Sequence, residues 1–354
     1  MGLKPEIKLL TERISKIIVD IYVIGEYPWG ECILFVLKIN DIPKFSVIVD
    51  SCEKAINILN EKLKEYYKIE TIDMLCWTHP HKDHSVGMIN FLTDYCGEKT
   101  LILEPQGIEI SKEYIDDESK VIYDYLNKIN MRNKKKYGKI AFAAEGKTIK
   151  NVQYIYDNTN NLNLNIETYS PVDEKINNMK NNKNKKINDY SILMCITINN
   201  WKFIFSGDIE NKSINYLKEK YEKFYNVIFL KIPHHGSKSS ENFIDLIEEN
   251  NNNIICNSTT YNNKDIVLPK VEVLNKYNNL INSQVFCTNL RSLENSKENT
   301  ESYGIISTRY ELYNDSGKYS WDCKKEGDAY NYSEYYKQMN NKIKNKSKLL
   351  NKKV

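Results

Sequence analysis

The five histidines of this 354-residue chain fall in two short segments. The first is Thr78-His79-Pro80-His81-Lys82-Asp83-His84-Ser85, and the second is Lys231-Ile232-Pro233-His234-His235-Gly236-Ser237. In the first, three imidazoles and a carboxylate stand within six residues. They follow the apolar run Met74-Leu75-Cys76-Trp77 and precede a helical pattern through Met88, Ile89, Phe91 and Leu92. A loop at a strand end can turn such side chains toward one point, and imidazole with carboxylate is a donor set for Zn²⁺, Mn²⁺ or Fe. No cysteine is among them, which argues against a structural zinc knot. A third segment, Phe203-Ile204-Phe205-Ser206-Gly207-Asp208, ends an apolar run in a glycine that permits a tight turn and an aspartate before a helix. Alone, Asp208 reads as a helix cap. Beside two histidine-rich loops it reads as part of their site.

These residues carry a resemblance. His79-x-His81-x-Asp83-His84 resembles the signature of the metallo-β-lactamase fold, and Ser206-Gly207-Asp208 resembles that fold's bridging-aspartate motif. Ile232-Pro233-His234-His235-Gly236-Ser237 is similar to the Pro-His-His-Gly-Ser of one branch, the hydrolase domain of the DNA-uptake protein ComEC and its soluble relatives. Val49-Asp50-Ser51 resembles an early strand-end motif of the fold, Asn188-Asp189-Tyr190-Ser191 the branch's Asn-x-x-Ser, and Thr288 and Gly304 its final Thr and Gly. The likeness spans roughly 17 to 315.

The resemblance implies an α/β fold, a four-layer αββα sandwich with a dinuclear site along one edge. Carried over, His79 and His81 hold one ion, Asp83 and His84 the second, and Asp208 bridges them. The His234-His235 pair supplies either a ligand or the group that meets the substrate oxyanion. The implied cofactor is Zn²⁺ or Mn²⁺, as one or two ions. Two divalent ions about 3.5–4 Å apart acidify a bridging water and clamp a phosphoryl or carbonyl oxygen. Asp83 then orients the hydroxide and shuttles its proton. The chain departs from the pattern in two places. Residues 85–207 contain no histidine, and Ile266-Val267-Leu268-Pro269 stands where the branch commonly has Gly-His-Pro. Each ion then has one protein ligand fewer, which leaves a single tightly held ion, or Mn²⁺ completed by water, as alternatives.

Adjacent residues of an extended chain point in opposite directions, so His234 and His235 can both face a metal only if the chain bends there. Pro233 fixes φ and Gly236 frees it, which makes a bend plausible. Unequal roles follow: His235 toward the metals or the attacked group, His234 at the cleft rim. Ser237 and Lys238 read equally as phosphate contacts or as an ordinary helix start, and Asp50 reads as a supporting residue rather than a ligand.

The expected activity is metal-dependent hydrolysis of a phosphodiester, by a nuclease or a small-molecule phosphodiesterase, with nucleic acid one candidate substrate. The first alternative is a carbonyl substrate such as a thioester or lactam, against which the absent intermediate histidine counts. The second is a catalytically silent regulatory module, against which the complete motif set counts.

The elements that must position these residues are legible in outline. Ile17–Ile24, Cys32–Ile39 and Phe45–Val49 predict three antiparallel strands, and Ile56, Leu59, Leu63 and Tyr67 a helical face. Thr100–Leu103 predicts a strand. Ser191–Ile198 and Lys202–Phe205 predict a hairpin turning at Asn199-Asn200, then a βαβαβ pattern follows to Cys287 and a closing hairpin over Gly304–Leu312 and Tyr319–Trp321. Residues 1–315 are read as the hydrolase domain, with 107–150 a helical insertion or lid carrying the run Arg132–Lys136. The Asn/Lys-rich stretch 175–188 is read as a mobile loop, 316–336 as a closing strand and linker, and 337–354 as a disordered lysine-rich tail.

Lys+Arg 50 against Asp+Glu 47 leaves +3, which excludes a strongly basic nucleic-acid binder. Seven lysines follow Glu334 with no acidic residue among them, so the rest of the chain is slightly acidic. The eight cysteines include no CxxC and sit mostly in apolar runs, as reduced thiols do. No apolar run approaches the roughly 20 residues that span a bilayer. A cytoplasmic protein is the expectation.

Overall fold

In the structure, a computed structural model that describes residues 3–107, 116–131, 138–173, 176, 186–248, 253–263, 265–289, 302–313, 316–339 and 341, β-branched and aromatic residues build two large mixed sheets. The eight-stranded sheet runs Lys318–Gly327, Tyr303–Tyr313, Ile17–Glu26, Glu31–Ile39, Ile42–Val49, Met74–Cys76, Leu101–Pro105, Lys139–Ala143. It is antiparallel as far as Ile42–Val49 and parallel beyond. The nine-stranded sheet runs Glu6–Leu9, Lys147–Ile155, Asn161–Thr168, Met194–Ile198, Trp201–Phe205, Val227–Lys231, Ile254–Ser258, Ser283–Cys287, Tyr330–Asn331. Its strands from Trp201–Phe205 to Ser283–Cys287 are parallel.

Three apolar clusters account for the layering. One joins inward side chains of both sheets, with Phe35 stacked edge-on against Phe203 and Phe205 at 5.5 and 6.1 Å. The second covers the other face of the eight-stranded sheet with helices Glu53–Asn60, Met88–Asp94 and Asp117–Met131. The third covers the other face of the nine-stranded sheet with helices Asn211–Lys220, Lys238–Leu246 and Val271–Asn278. The architecture is α/β and compatible with a sandwich.

Residues 107–150, expected as a helical insertion or lid, contribute a helix and strands to both sheets. Their helix, Asp117–Met131, buries Ile122, Leu126 and Ile129 in the second cluster as the crossover between two parallel strands. Lys139–Ala143 is the last strand of one sheet, and Lys147–Ile155 belongs to the other. In residues 316–336 the closing strand is Lys318–Gly327, paired along its whole length with Tyr303–Tyr313, and beyond it Tyr330–Asn331 joins the nine-stranded sheet. The run Arg132–Lys136, most of 175–188, residues 290–301 and nearly all of the tail lie outside the described residues. All eight cysteines are unpaired, and six are buried. Among the described residues no helix is long and apolar enough to cross a membrane.

Parallel strands end on the same side. The carboxyl ends of Ile42–Val49 and Met74–Cys76 in one sheet, and of Trp201–Phe205, Val227–Lys231 and Ile254–Ser258 in the other, lead into Asp50, His79, Asp208, His234 and Thr259. Loops beyond such strand ends are where α/β folds place ligands.

Candidate metal centre

The structure brings the sequence-predicted residues together. Asp83, His84, Asp208 and His235 offer donor atoms within 4.8 Å of one another, and so do His79, His81 and Asp208. Asp208 belongs to both sets. His84 Nε2 lies 3.4 Å from Asp83 Oδ2 and 3.5 Å from Asp208 Oδ1. His235 Nε2 lies 3.0 Å from Asp83 Oδ2, 3.6 Å from Asp208 Oδ2 and 3.3 Å from His84 Nε2. His79 Nε2 is 3.8 Å from Asp208 Oδ2 and 3.0 Å from His81 Nδ1.

Local backbone sets this geometry. Gly207 has φ +49, and a Cβ there would collide with Ser191 Oγ and crowd Ile192 O. The same Ser191 hydroxyl accepts from Asp208 N at 2.7 Å and sits 3.4 Å from His79 Nδ1. The Asn188–Ser191 segment thus braces both a histidine and the shared aspartate. The expected bend at the late histidines is also present, but the histidines themselves supply it. His234 (φ 48, ψ 48), His235 (φ 51, ψ 22) and Gly236 (φ 77) are three left-handed residues in a row. Left-handed backbone is costly for a residue with a side chain and persists where its surroundings enforce it. The turn brings His234 Nε2 to 3.8 Å from Asp208 Oδ2, close to the 3.6 Å of His235. The two differ in burial. His235 is sealed in, whereas the His234 side chain is 20% exposed and held by Ser239 Oγ at 2.9 Å from Nδ1.

Asp50 supports the centre. It is fully buried in a left-handed conformation, accepts from Thr78 N and Thr78 Oγ1 at 2.7 Å each, and takes His84 Nδ1 at 2.8 Å. That bond turns His84 Nε2 toward Asp83 and Asp208. A carboxylate behind a ligating histidine is a common arrangement in metal sites. Ser237 and Lys238 resolve toward the ordinary reading. Ser237 Oγ caps the following helix by accepting from Ser239 N at 3.2 Å, and exposed Lys238 pairs with Glu272 at 2.8 Å.

Burial and charge oppose each other here. Burial pushes His79 well below the ordinary imidazole range, and neighbouring His84 and His81 push it further. Burial also lowers His81 and His234. Burial resists charge on His84, but Asp83, Asp208 and Asp50 outweigh it and hold its pKa well above the usual value. Burial resists ionisation of Asp83 and Asp208 as well; His84 and His235 override it and hold both carboxyls well below theirs.

A direct test of fit is available. Asp208 Oδ1 is buried and accepts no hydrogen bond among the described residues. A buried polar atom left unpaired costs free energy on the order of 1–3 kcal/mol, and an unmade bond of this kind calls for a ligand or ion. Donors about 2.0–2.2 Å from one ion stand about 3.0–3.5 Å from each other, the range of the closest pairs here. Four imidazoles and two carboxylates fit Zn²⁺ or Mn²⁺. The Thr168–Pro171 stretch adds no donor, since Ser170 Oγ donates to Ser191 O and accepts from Leu193 N. No family model matches the chain, and no curated protein matches it in sequence.

Sequence reasoning missed the groups behind His235. Glu31, Thr259 and Lys231 are all buried; Lys231 opens the second histidine segment, but its residue type does not mark it as a site group, and Glu31 and Thr259 lie in no motif. Tyr261 also stacks near His235, with ring centroids 5.6 Å apart.

Proposed function

We propose that this chain is a divalent-metal-dependent hydrolase of phosphodiester bonds, a four-layer αββα protein of the metallo-β-lactamase fold and the ComEC type. The observation that carries this is the pair of donor sets sharing Asp208, whose Oδ1 is buried and accepts no hydrogen bond among the described residues. His79, His81 and Asp208 would hold one ion, and Asp83, His84, Asp208 and His235 the other. The ion is Zn²⁺ or Mn²⁺. When bound, such ions acidify water and draw charge from a phosphoryl oxygen.

The chain's own residues do the rest. Asp83, slightly open to solvent at 8%, orients the attacking water and takes its proton. Asp208 holds the two donor sets in one register. His234, partly exposed and braced by Ser239, stands at the rim where it orients a substrate oxygen. Asp50 and Ser191 fix the rings of His84 and His79.

The test is a substrate panel on the purified protein with added Mn²⁺ or Zn²⁺. Metal-dependent turnover of bis-p-nitrophenyl phosphate is expected, with thioesters inert. Faster turnover of thioesters would move the assignment to carbonyl chemistry. Bound metal with no turnover of either class would make the chain a silent binding module.

A further inference from the structure

His235 is backed by three buried polar side chains from three different strands. Glu31 opens Glu31–Ile39 in one sheet, Lys231 closes Val227–Lys231 in the other, and Thr259 follows Ile254–Ser258. All are at most 1% exposed. Lys231 Nζ lies 2.7 Å from Glu31 Oε2 and donates to Ile232 O at 3.0 Å. Thr259 Oγ1 makes a short hydrogen bond to the same Glu31 oxygen. On its other side, Thr259 Oγ1 meets His235 Nδ1 at 2.8 Å.

The proton count along this row fixes the Nδ1 side of the ring. A carboxylate paired with an ammonium only accepts, and a hydroxyl has a single proton to donate. Thr259 therefore donates to Glu31 and offers His235 a lone pair. His235 Nδ1 must carry a hydrogen to complete the bond, so in the neutral ring the Nε2 lone pair is free. That lone pair faces Asp83 Oδ2 at 3.0 Å, Asp208 Oδ2 at 3.6 Å and His84 Nε2 at 3.3 Å. With their protons released, these atoms are placed to donate to one cation.

We propose that Glu31, Thr259 and Lys231 form a positioning relay that locks His235 in its Nδ1-protonated tautomer and so makes it a ligand in the Asp83–His84–Asp208 set, rather than a proton donor to the leaving group. The proposal rests on the metal-centre reading above. Lys231 supplies the countercharge without which a carboxylate between two sheets is costly. The relay also explains the three left-handed residues. They aim Nδ1 inward at Thr259 and Nε2 at the carboxylates, which an extended strand end does not do.

The experiment is Co²⁺ loading of the full chain, read by its d–d absorption and by competition with a chelator. It compares wild type with Thr259→Val, Thr259→Ser, Glu31→Gln, His235→Ala and the double variant Thr259→Val/His235→Ala. Losing a group behind a metal-bound histidine typically costs 10–100-fold in affinity. Thr259→Val should weaken the more loosely held Co²⁺ by about that factor and alter the spectrum. Thr259→Ser, which keeps the hydroxyl, should stay within about threefold of wild type. In the His235→Ala background, Thr259→Val should add nothing. If Thr259→Val fails to fold, Glu31→Gln carries the same expectation. Wild-type spectrum and affinity in Thr259→Val, or in Glu31→Gln where that stands in, would overturn the relay while leaving the metal centre standing. A wild-type chain that binds no Co²⁺ would overturn both.

Discussion

Among the described residues, the sets of ionisable side chains around Asp20 and around Asp208 are built differently. At Asp20, in the strand Ile17–Glu26, every charge is answered within the protein. Arg309, directly opposite on the neighbouring strand, donates from Nε at 2.7 Å and Nη2 at 3.2 Å. Lys38 Nζ lies 3.0 Å away, and Tyr67 donates its hydroxyl at 2.8 Å, itself touching Tyr22 OH at 2.9 Å. At Asp208, carboxylate oxygens and imidazole nitrogens converge within 4.8 Å of one another, and Asp208 Oδ1 accepts no hydrogen bond among the described residues. A closed set supports the fold. An open set, with donor atoms within 4.8 Å of one another, could hold a metal ion.

The contrast is testable by exchanging what each set loses. Asp208→Ala should abolish metal-dependent hydrolysis, with loss of bound ion measured by elemental analysis. Asp83→Ala should lower kcat by about 10²–10⁴-fold, measured on the best substrate of the panel, with the fold intact. A variant keeping near-wild-type turnover would remove Asp83 from the chemistry.

Asp20→Asn should do the reverse. It leaves buried Lys38 without its carboxylate, and breaking a buried pair in this way costs on the order of 3–5 kcal/mol. Denaturant unfolding should show that loss while metal content stays at the wild-type level. The same set predicts an acid limb of stability. Burial resists ionisation of Asp20, but Arg309 and Lys38 outweigh it and hold the carboxyl below its ordinary 3.8. A lowered native pKa contributes stability above the unfolded value and loses it as pH falls through the native one. Wild type should therefore lose this contribution below about pH 4, a loss absent from Asp20→Asn. The smallest effect is expected of Tyr67→Phe, which removes one donor to a charged acceptor: about 1–3 kcal/mol and no change in metal.

The open set was far more legible in the sequence than the closed one. Metal-type donors sit in short loops after apolar strands, so His79, His81, Asp83, His84 and His235 declare themselves by local spacing alone. Asp208 is plain only in their company. The groups behind them are assembled by topology. Glu31 and Thr259 meet across 228 positions, and Asp20 and Arg309 across 289, with no local pattern at either end. The missed strands teach a related lesson. Asn161–Thr168 buries Leu162, Leu164 and Ile166 in strict alternation, but asparagines fill its outward face and give it the look of a loop. The segment 107–150 looks like an insertion because polar residues separate its helix from Lys139–Ala143, a short strand with only one fully buried residue.

The central claim is that the open set holds a divalent ion through Asp208. Elemental analysis of the purified wild-type chain after dialysis against Zn²⁺ or Mn²⁺, beside Asp208→Ala and Asp20→Asn, tests it most directly. The proposed centre predicts at least one tightly held ion per chain in wild type and Asp20→Asn, and its loss in Asp208→Ala. A metal-free wild type, or an Asp208→Ala variant that keeps its full complement of ions, would contradict it.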